Sequence, residues 1–246
     1  MKLTYSYAAT TRDAEQRRRW TFYEAVMEGY LRVGLFGGTF NPIHLGHLRS
    51  AEEVRELFNL QQVIFIPSAN PPHKQGKNII SPIHRMEMVN LAIEGNQGFS
   101  VSDIEIKRHG KSYSIETIDY IRKIHGSDLI LFFIMGIDAF TEISTWKDYT
   151  NLFSRCNFVV TTRPGYSLTN LETILPADVA GNFSYLSEED RFVHTSNFSL
   201  YFRDITNLDI SSSVVRNRIK ENRSVRYLLP EKVIQYIKEH GLYKDS

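Results

Sequence analysis

The sequence predicts an α/β protein built on a parallel sheet with helices on both faces. From residue 31 onward, short β-branched runs alternate with amphipathic stretches, which is the pattern of strands joined by crossover helices. The longest apolar run, residues 129–135, is too short to span a membrane and is typical of a buried strand. The chain has 246 residues, 42% of them hydrophobic, which is enough for a large core.

Six strands are predicted from runs of apolar and β-branched residues. They are residues 31–36, 62–66, 99–107, 129–135, 157–162 and 200–205. The helix predicted over residues 45–58 follows the first strand. It places Leu45, Leu48, Ala51, Val54 and Phe58 on one apolar stripe.

A second predicted helix begins with Ser81 as the N-cap and Pro82 in the first helical position. Its expected buried residues are Met86, Val89 and Ile93.

A third predicted helix follows Ser114, the expected N-cap, with Ile118, Ile121 and Ile124 in step. The last helix is predicted over residues 230–240. It should stop at a left-handed Gly241, which lets Leu242 fold back on Ile237.

Composition and charge restrict the partners. The 29 Lys and Arg residues nearly balance the 28 Asp and Glu residues, so we expect neither a nucleic-acid partner nor a membrane partner. The single cysteine, Cys156, excludes an intrachain disulfide framework and a cysteine-based zinc or iron–sulfur site. A lone cysteine is compatible with a reducing compartment, and we expect the protein to be cytoplasmic.

Two parts of the chain carry weaker patterns. Residues 1–30 contain a charged, arginine-rich run and no secretory apolar core, so they are predicted to be an N-terminal extension, either a solvated helix or disordered. Met27 is an alternative start. Residues 31–246 are predicted to form a single domain. The periodicity fades between residues 176 and 197, where we expect a variable surface excursion.

A glycine turn and two histidines follow the first strand. Gly37, Gly38 and Thr39 come directly after it, and glycines there allow backbone N–H groups to approach a phosphate. His44 and His47 are three residues apart at the start of the next helix, so both imidazoles should face the same side.

Other interpretations of this turn are open. Glycine pairs also occur in strand-to-helix turns that bind no phosphate. A histidine pair at this spacing is compatible with zinc, although no His-Glu-x-x-His and no third acidic ligand is evident. The glycines do not form a dinucleotide fingerprint, and the sequence contains no Walker loop, which removes the main support for hydride transfer and P-loop hydrolysis.

A second polar constellation lies near the C-terminus. Ser211, Ser212 and Ser213 precede Arg216 at a predicted helix start, where unpaired N–H groups and the helix dipole favour an anion. Arg216 adds a cation that stays charged. The alternative is a plain serine cap on a surface helix with a solvated arginine.

Together these segments resemble the nucleotidylyltransferase superfamily. Residues 37–47 match its T/H-x-G-H signature, and residues 209–216 are similar to its Ile-Ser-Ser-Thr-x-x-Arg motif with Ser213 in place of Thr. The resemblance implies a Rossmann-like sheet and transfer of a nucleoside monophosphate to a phosphorylated acceptor. It also implies that His44, His47 and Arg216 are catalytic and contact the phosphates.

Further segments resemble the nicotinate-nucleotide adenylyltransferase family across nearly all of residues 31–243. The resemblance implies that ATP is held by the glycine turn, the three serines and the Gly136 and Asp138 pair after the fourth strand. It implies an acceptor site for nicotinate mononucleotide. The expected acceptor-site residues are Lys74, Ser112, Tyr113, Ser114 and Trp146.

The implied reaction converts ATP and nicotinate mononucleotide into nicotinate adenine dinucleotide and pyrophosphate. Mg²⁺ is expected to enter with ATP, without a dedicated protein cage. Nicotinamide mononucleotide and phosphopantetheine are rival acceptors. A nucleotide-sensing module without turnover is a rival of another class. The sequence leaves open whether the chain forms a homo-oligomer.

Overall fold

The computed structural model describes residues 31–71, 79–108, 110–126, 128–163, 165–166, 168 and 170–244. Within these residues, the centre of the fold is one eight-stranded sheet. Its strands are β1 Leu31–Gly38, β2 Gln62–Pro67, β3 Phe99–Val101, β4 Leu129–Gly136, β5 Asn157–Thr162, β6 Phe183–Leu186, β7 Arg191–His194 and β8 Ser199–Asp204. Strands β1–β5 and β8 pair in parallel, whereas β6 and β7 are antiparallel.

Helices connect most of these strands. They are α1 Leu45–Leu57, α2 Pro82–Ile93, α3 Ile104–Lys107, α4 Ser114–His125, α5 Ile137–Thr141, α6 Tyr149–Leu152, α7 Ala177–Ala180, α8 Ser212–Lys220 and α9 Glu231–Glu239. Short 3₁₀ turns lie at Ile143–Thr145 and Leu171–Thr173.

The strand order creates a crevice at the middle of the sheet. The order is β3-β2-β1-β4-β5-β8-β7-β6, so the chain first builds outward from β1 to β3 and then returns to place β4 on the other side of β1. Helices leave the carboxyl ends of β1 and β4 in different directions at such a switch point, and ligands of open α/β sheets bind there.

Most predicted strands are confirmed, but the one over residues 99–107 is wrong beyond Val101. The backbone N–H of Ser102 makes a last bond to the carbonyl of Phe65, 2.9 Å away. The chain then turns into α3, where Lys107 pairs with Asp103 one helical turn away at 2.9 Å. This ion pair favours the helix over an extended chain.

The segment predicted as a surface excursion, residues 176–197, is largely exposed as expected, but it has regular structure that was not predicted. The segment contains α7 and the hairpin β6–β7, which extends the sheet through β8. Phe192 in this hairpin is 5% exposed and packs on Tyr185 with ring centroids 4.8 Å apart. Each strand has only four residues, so its alternation is too short to stand out in the sequence.

The predicted helix starts are partly confirmed. The hydroxyl of Ser81 caps α2 by accepting from the N–H of Ile83. Met86 is only half-buried, however, and Met88 is buried in its place. The buried stripe of α2 also includes Arg85, and this charged side chain conceals the stripe in the sequence.

The N-cap of α4 is Tyr113, one residue before the predicted Ser114. Ile118 and Ile121 are buried, but Ile124, which the spacing placed in step with them, is 56% exposed. The end of α9 is confirmed, because Gly241 has φ +61° and the N–H of Leu242 donates to the carbonyl of Ile237.

Apolar cores lie on both faces of the sheet, which confirms the predicted layers. One contains Val54, Met88 and Ile234 from α1, α2 and α9. The other contains Ile118 and Phe140 from α4 and α5. Within the described part of the chain, no helix is long and apolar enough to cross a bilayer. The extension predicted for residues 1–30 lies outside the described residues, and the single domain over 31–246 stays a prediction.

Candidate active site

A cleft of about 820 Å³ opens at the carboxyl ends of β1, β4 and β5. The glycine turn, both histidines, Ser212 and Arg216 line it together. These residues come from the two constellations that the sequence places about 170 positions apart. The two constellations therefore converge on one cavity, as the sequence analysis requires.

The two histidines stack against each other at the start of α1. Their ring centroids are 3.6 Å apart, and the rings are inclined by only 23°. The backbone N–H of His44 donates to Nδ1 of His47 at 3.2 Å. In neutral His47 the proton is therefore assigned to Nε2, which makes that nitrogen a donor.

His44 is 6% exposed, and its Nδ1 has no hydrogen-bond partner among the described residues. Burial lowers the pKa of His44 to about 4, so its imidazole is neutral at pH 7. A neutral ring can stack closely on His47 without charge repulsion. Nδ1 is thus an unpaired polar atom buried beside the cleft.

Two glycines allow neighbouring aromatic and imidazole rings to pack closely against the backbone of this turn. A Cβ on Gly38 would lie 2.8 Å from the ring of Phe40, a residue that is itself 3% exposed. A Cβ on Gly46 would lie 3.1 Å from Nδ1 of His44. Side chains at either position would displace the aromatic or imidazole ring beside them.

The segment between the glycine turn and α1 is held from distant parts of the chain. Arg216 donates through Nη1 to the carbonyl of Asn41 at 2.7 Å, and Ser212 donates to the carbonyl of Pro42 at 2.8 Å. The side-chain carbonyl of Asn41 accepts from the hydroxyl of Tyr243 at 3.0 Å. The start of α8 and the C-terminus therefore fix the loop that precedes the histidines.

The three serines at α8 have different surroundings. Ser212 lines the cleft. Ser211 is the N-cap, and its hydroxyl accepts from the N–H of Val214 and lies 3.0 Å from that of Ser213. Because Ser211 and Ser213 are exposed and are not among the cleft-lining residues, their role in ATP binding stays a prediction.

The opposite wall of the cleft is formed after β4 and β5. Gly136 is the N-cap of α5, and Asp138 lies in the first turn of that helix, exposed toward the cleft. Thr161 and Thr162 line the same wall, with Arg163 beside them. The sequence analysis assigned no role to the two threonines. Their position at the carboxyl end of a predicted parallel strand is the signal that could have identified them.

The third region of the cleft contains Ser112, Tyr113, Ser114 and Trp146. Lys147 stabilises this wall, because its Nζ lies 4.4 Å from the centre of the Tyr113 ring. The structure thus brings all but one of the expected acceptor-site residues together. That one is Lys74, which lies outside the described residues.

A family model described as cytidylyltransferase-like matches residues 35–218, about three quarters of the chain. The chain belongs to the cytidylyltransferase-like family.

Two curated members of this family are similar over 216 residues, which are 88% of this chain and 100% of each relative. Both are named "Probable nicotinate-nucleotide adenylyltransferase". One, from Geobacter sp. strain M21, is 49% identical, and the other, from Citrifermentans bemidjiense, is 48% identical. The resemblance to the nicotinate-nucleotide adenylyltransferase family, which the motifs indicated, is confirmed.

A solved structure supports the fold of this cytidylyltransferase-like chain. Plasmodium falciparum nicotinic acid mononucleotide adenylyltransferase, complexed with NaAD, superimposes with a TM-score of 0.66. It covers 88% of this chain and 99% of its own, at 17% identity. At that identity the similarity is evidence for the fold alone.

Proposed function

We propose that this chain is a nicotinate-nucleotide adenylyltransferase, which transfers AMP from ATP to nicotinate mononucleotide and forms nicotinate adenine dinucleotide and pyrophosphate. The observation that carries the proposal is the bond from Arg216 to the carbonyl of Asn41, because it joins the two phosphate-binding constellations at one cleft. The names of the curated relatives support the same reaction and its place in NAD biosynthesis.

The chemistry requires positioning and charge neutralisation. An oxygen of the acceptor phosphate attacks the α-phosphorus of ATP, the bond from that phosphorus to the α–β bridging oxygen breaks, and pyrophosphate leaves with the electron pair. The acceptor phosphate is already ionised near pH 7, so no general base is needed. The protein must hold two polyanions in line and stabilise the charge that develops on the bridging oxygen.

The three catalytic residues suit this task. His47 offers Nε2–H as a donor, and neutral His44 lines the cleft beside it. Arg216 supplies a permanent positive charge at the N-terminal half of α8, and we assign it with Ser211–Ser213 to the leaving pyrophosphate. The Gly37–Thr39 backbone would hold the triphosphate from the other side.

The two ends of the cleft then take the two nucleosides. Gly136 and Asp138 contact the adenosine. Tyr113 and Ser114 meet the nicotinate carboxylate through their backbone amides, and Trp146 stacks on the pyridine ring. Trp146 is half-buried, and its ring packs edge-on against Phe133 with centroids 6.1 Å apart, which holds the indole in place.

Mg²⁺ enters as part of the ATP substrate. Among the described residues there is no group of three His, Cys, Asp or Glu side chains placed to hold a metal ion. We expect the ion to be coordinated mainly by phosphate oxygens and water. We place the reaction in the cytoplasm, without a nucleic-acid or membrane partner.

Pyrophosphate release tests the proposal. The purified chain is mixed with MgATP and, separately, nicotinate mononucleotide, nicotinamide mononucleotide or phosphopantetheine. Release with nicotinate mononucleotide alone supports the proposal. Faster release with either other acceptor contradicts the assigned substrate, and ATP binding without any turnover identifies a sensor.

His44→Ala tests the site in the same assay. Its turnover should fall about 10²–10³-fold while the protein stays folded, since one positioned donor is removed. Turnover close to that of the wild type would remove His44 from the mechanism.

A further inference from the structure

Arg85 is a buried cation that the reaction described above does not use. It lies on α2 and is 0% exposed, and no carboxylate oxygen within the described segments comes within 4.0 Å of it. Burial lowers the pKa of Arg85 to about 10, so the guanidinium is still charged at pH 7. A buried charge without an ion-pair partner is costly, and its retention calls for a specific role.

Within the residues that the structure describes, the guanidinium makes three hydrogen bonds, and all go to backbone carbonyls. Nη1 donates to Thr39 at 2.7 Å, Nε to Ile80 at 3.1 Å and Nη2 to Ala69 at 3.3 Å. These carbonyls belong to the glycine turn, the segment before α2 and the segment after β2. A planar fork with five N–H groups can reach three acceptors that lie in different directions, whereas a lysine ammonium donates its three hydrogens from a single nitrogen.

Each of these segments borders the cleft. Thr39 lines it directly, and Ala69 and Ile80 each lie next to a lining residue, Ser68 and Ile79 respectively. Arg85 therefore ties the segments that carry Ala69 and Ile80 to the end of the phosphate-binding turn, beside the direct bond from the N–H of Ser68 to the carbonyl of Gly38.

Hydrogen bonds continue from the segment of Ala69 to Ser112, in the region of the cleft assigned to the acceptor. The N–H groups of Ala69 and Asn70 donate to the hydroxyl of Ser112 at 2.9 and 3.2 Å, and the N–H of Ser112 donates back to the carbonyl of Asn70 at 3.1 Å. A continuous chain of bonds thus runs from the glycine turn through Arg85 to Ser112, beside the residues assigned to nicotinate.

A second buried charge lies near this chain. Glu105 lines the cleft and is 7% exposed, and one carboxylate oxygen accepts from the hydroxyl of Thr117 at 2.8 Å. Its charge attracts that of Arg85 without forming an ion pair. The same Thr117 hydroxyl lies 3.3 Å from the carbonyl of Tyr113, on the acceptor wall.

We propose that Arg85 is a positioning residue that sets the acceptor site against the ATP site. This rests on the proposed function. Without the three-way clamp, the wall carrying Ser112 shifts relative to Thr39, and the acceptor phosphate no longer lies in line with the α-phosphorus. ATP keeps its contacts with the histidines and Arg216, and the carbonyl of Gly38 in the phosphate-binding turn stays bonded to the N–H of Ser68 at 2.9 Å.

The test is steady-state kinetics of Arg85→Lys, with Arg32→Lys as the matched control. Arg32 also donates from a half-buried guanidinium to a carbonyl, that of Phe58 at 3.0 Å, but it lies at the far end of β1 from the cleft. Lysine keeps the charge but cannot span three carbonyls. We expect kcat/KM for the acceptor to fall about 10–100-fold in Arg85→Lys. The equilibrium Kd for ATP should change less than threefold, and Arg32→Lys should behave as the wild type.

Arg85→Gln provides a second variant, because it buries no charge and folds where a buried ammonium does not. The same selective loss is expected. Equal losses in ATP affinity and acceptor kcat/KM, or wild-type kinetics in either folded Arg85 variant, overturn the positioning role. If the wild-type chain itself shows no turnover, the proposed function is overturned instead. Failure of the positioning role and failure of the proposed function therefore give different results.

Discussion

The burial of His44 predicts a specific loss of stability in acid. The pKa of His44 is about 4 in the folded chain, against 6.5 for an ordinary histidine, because burial opposes the charged form. The unfolded chain therefore binds a proton at His44 more readily than the folded chain does. Stability rises with pH across this window and falls as the pH drops from about 7 to about 4.

The size of the effect follows from the two values. A tenfold difference in proton affinity is worth about 1.4 kcal/mol, so protonation at His44 should remove about 3 kcal/mol of unfolding free energy by pH 4. This is a large part of the roughly 5–15 kcal/mol typical of a domain. His44→Gln cannot take up this proton and should keep that part of its stability.

Urea unfolding of both proteins at pH 7, 6, 5 and 4 measures the effect. Acid titration of carboxylates such as Glu52 and Glu53, whose pKa values are lowered by their hydrogen bonds, is common to both proteins and cancels in the difference. The stability difference between wild type and variant should change by about 3 kcal/mol in favour of the variant between pH 7 and pH 4. Parallel curves over this range would refute the burial argument.

Two further substitutions test the packing around the cleft. Tyr243→Phe removes the donor to Asn41 and should lower the free energy of unfolding by about 1 kcal/mol in urea titration, with an unchanged value counting against that bond. Gly34→Ala places a Cβ 2.8 Å from Ile134 and 2.9 Å from Leu60, both fully packed side chains. It should cost about 1–3 kcal/mol, and a thermal midpoint equal to the wild type would show that the core adapts.

Local patterns predicted the parallel half of the fold well. The strands at β1, β2, β4 and β5 are continuous apolar runs, as expected for strands covered on both faces. The residues that we propose to bind phosphate were also visible in the sequence, because glycines and a serine-rich helix start have a direct link to anion binding.

The features that the sequence did not show depend on long-range contacts. Arg85 looks like a surface residue until its three carbonyl partners are known, one of them 46 positions away. Tyr243 and Asn41 are 202 positions apart, so neither gives a sign of the other. The short strands β6 and β7 are specified by pairing with β8 rather than by their own pattern.

Transfer of labelled AMP tests the central claim most directly. The wild-type chain is incubated with nicotinate mononucleotide and ATP labelled at the α-phosphorus, and in parallel with ATP labelled at the γ-phosphorus. We expect the α label to appear in nicotinate adenine dinucleotide and the γ label in pyrophosphate. Label from the γ position in the nucleotide product, or α label that stays in ATP or in free AMP, would contradict it.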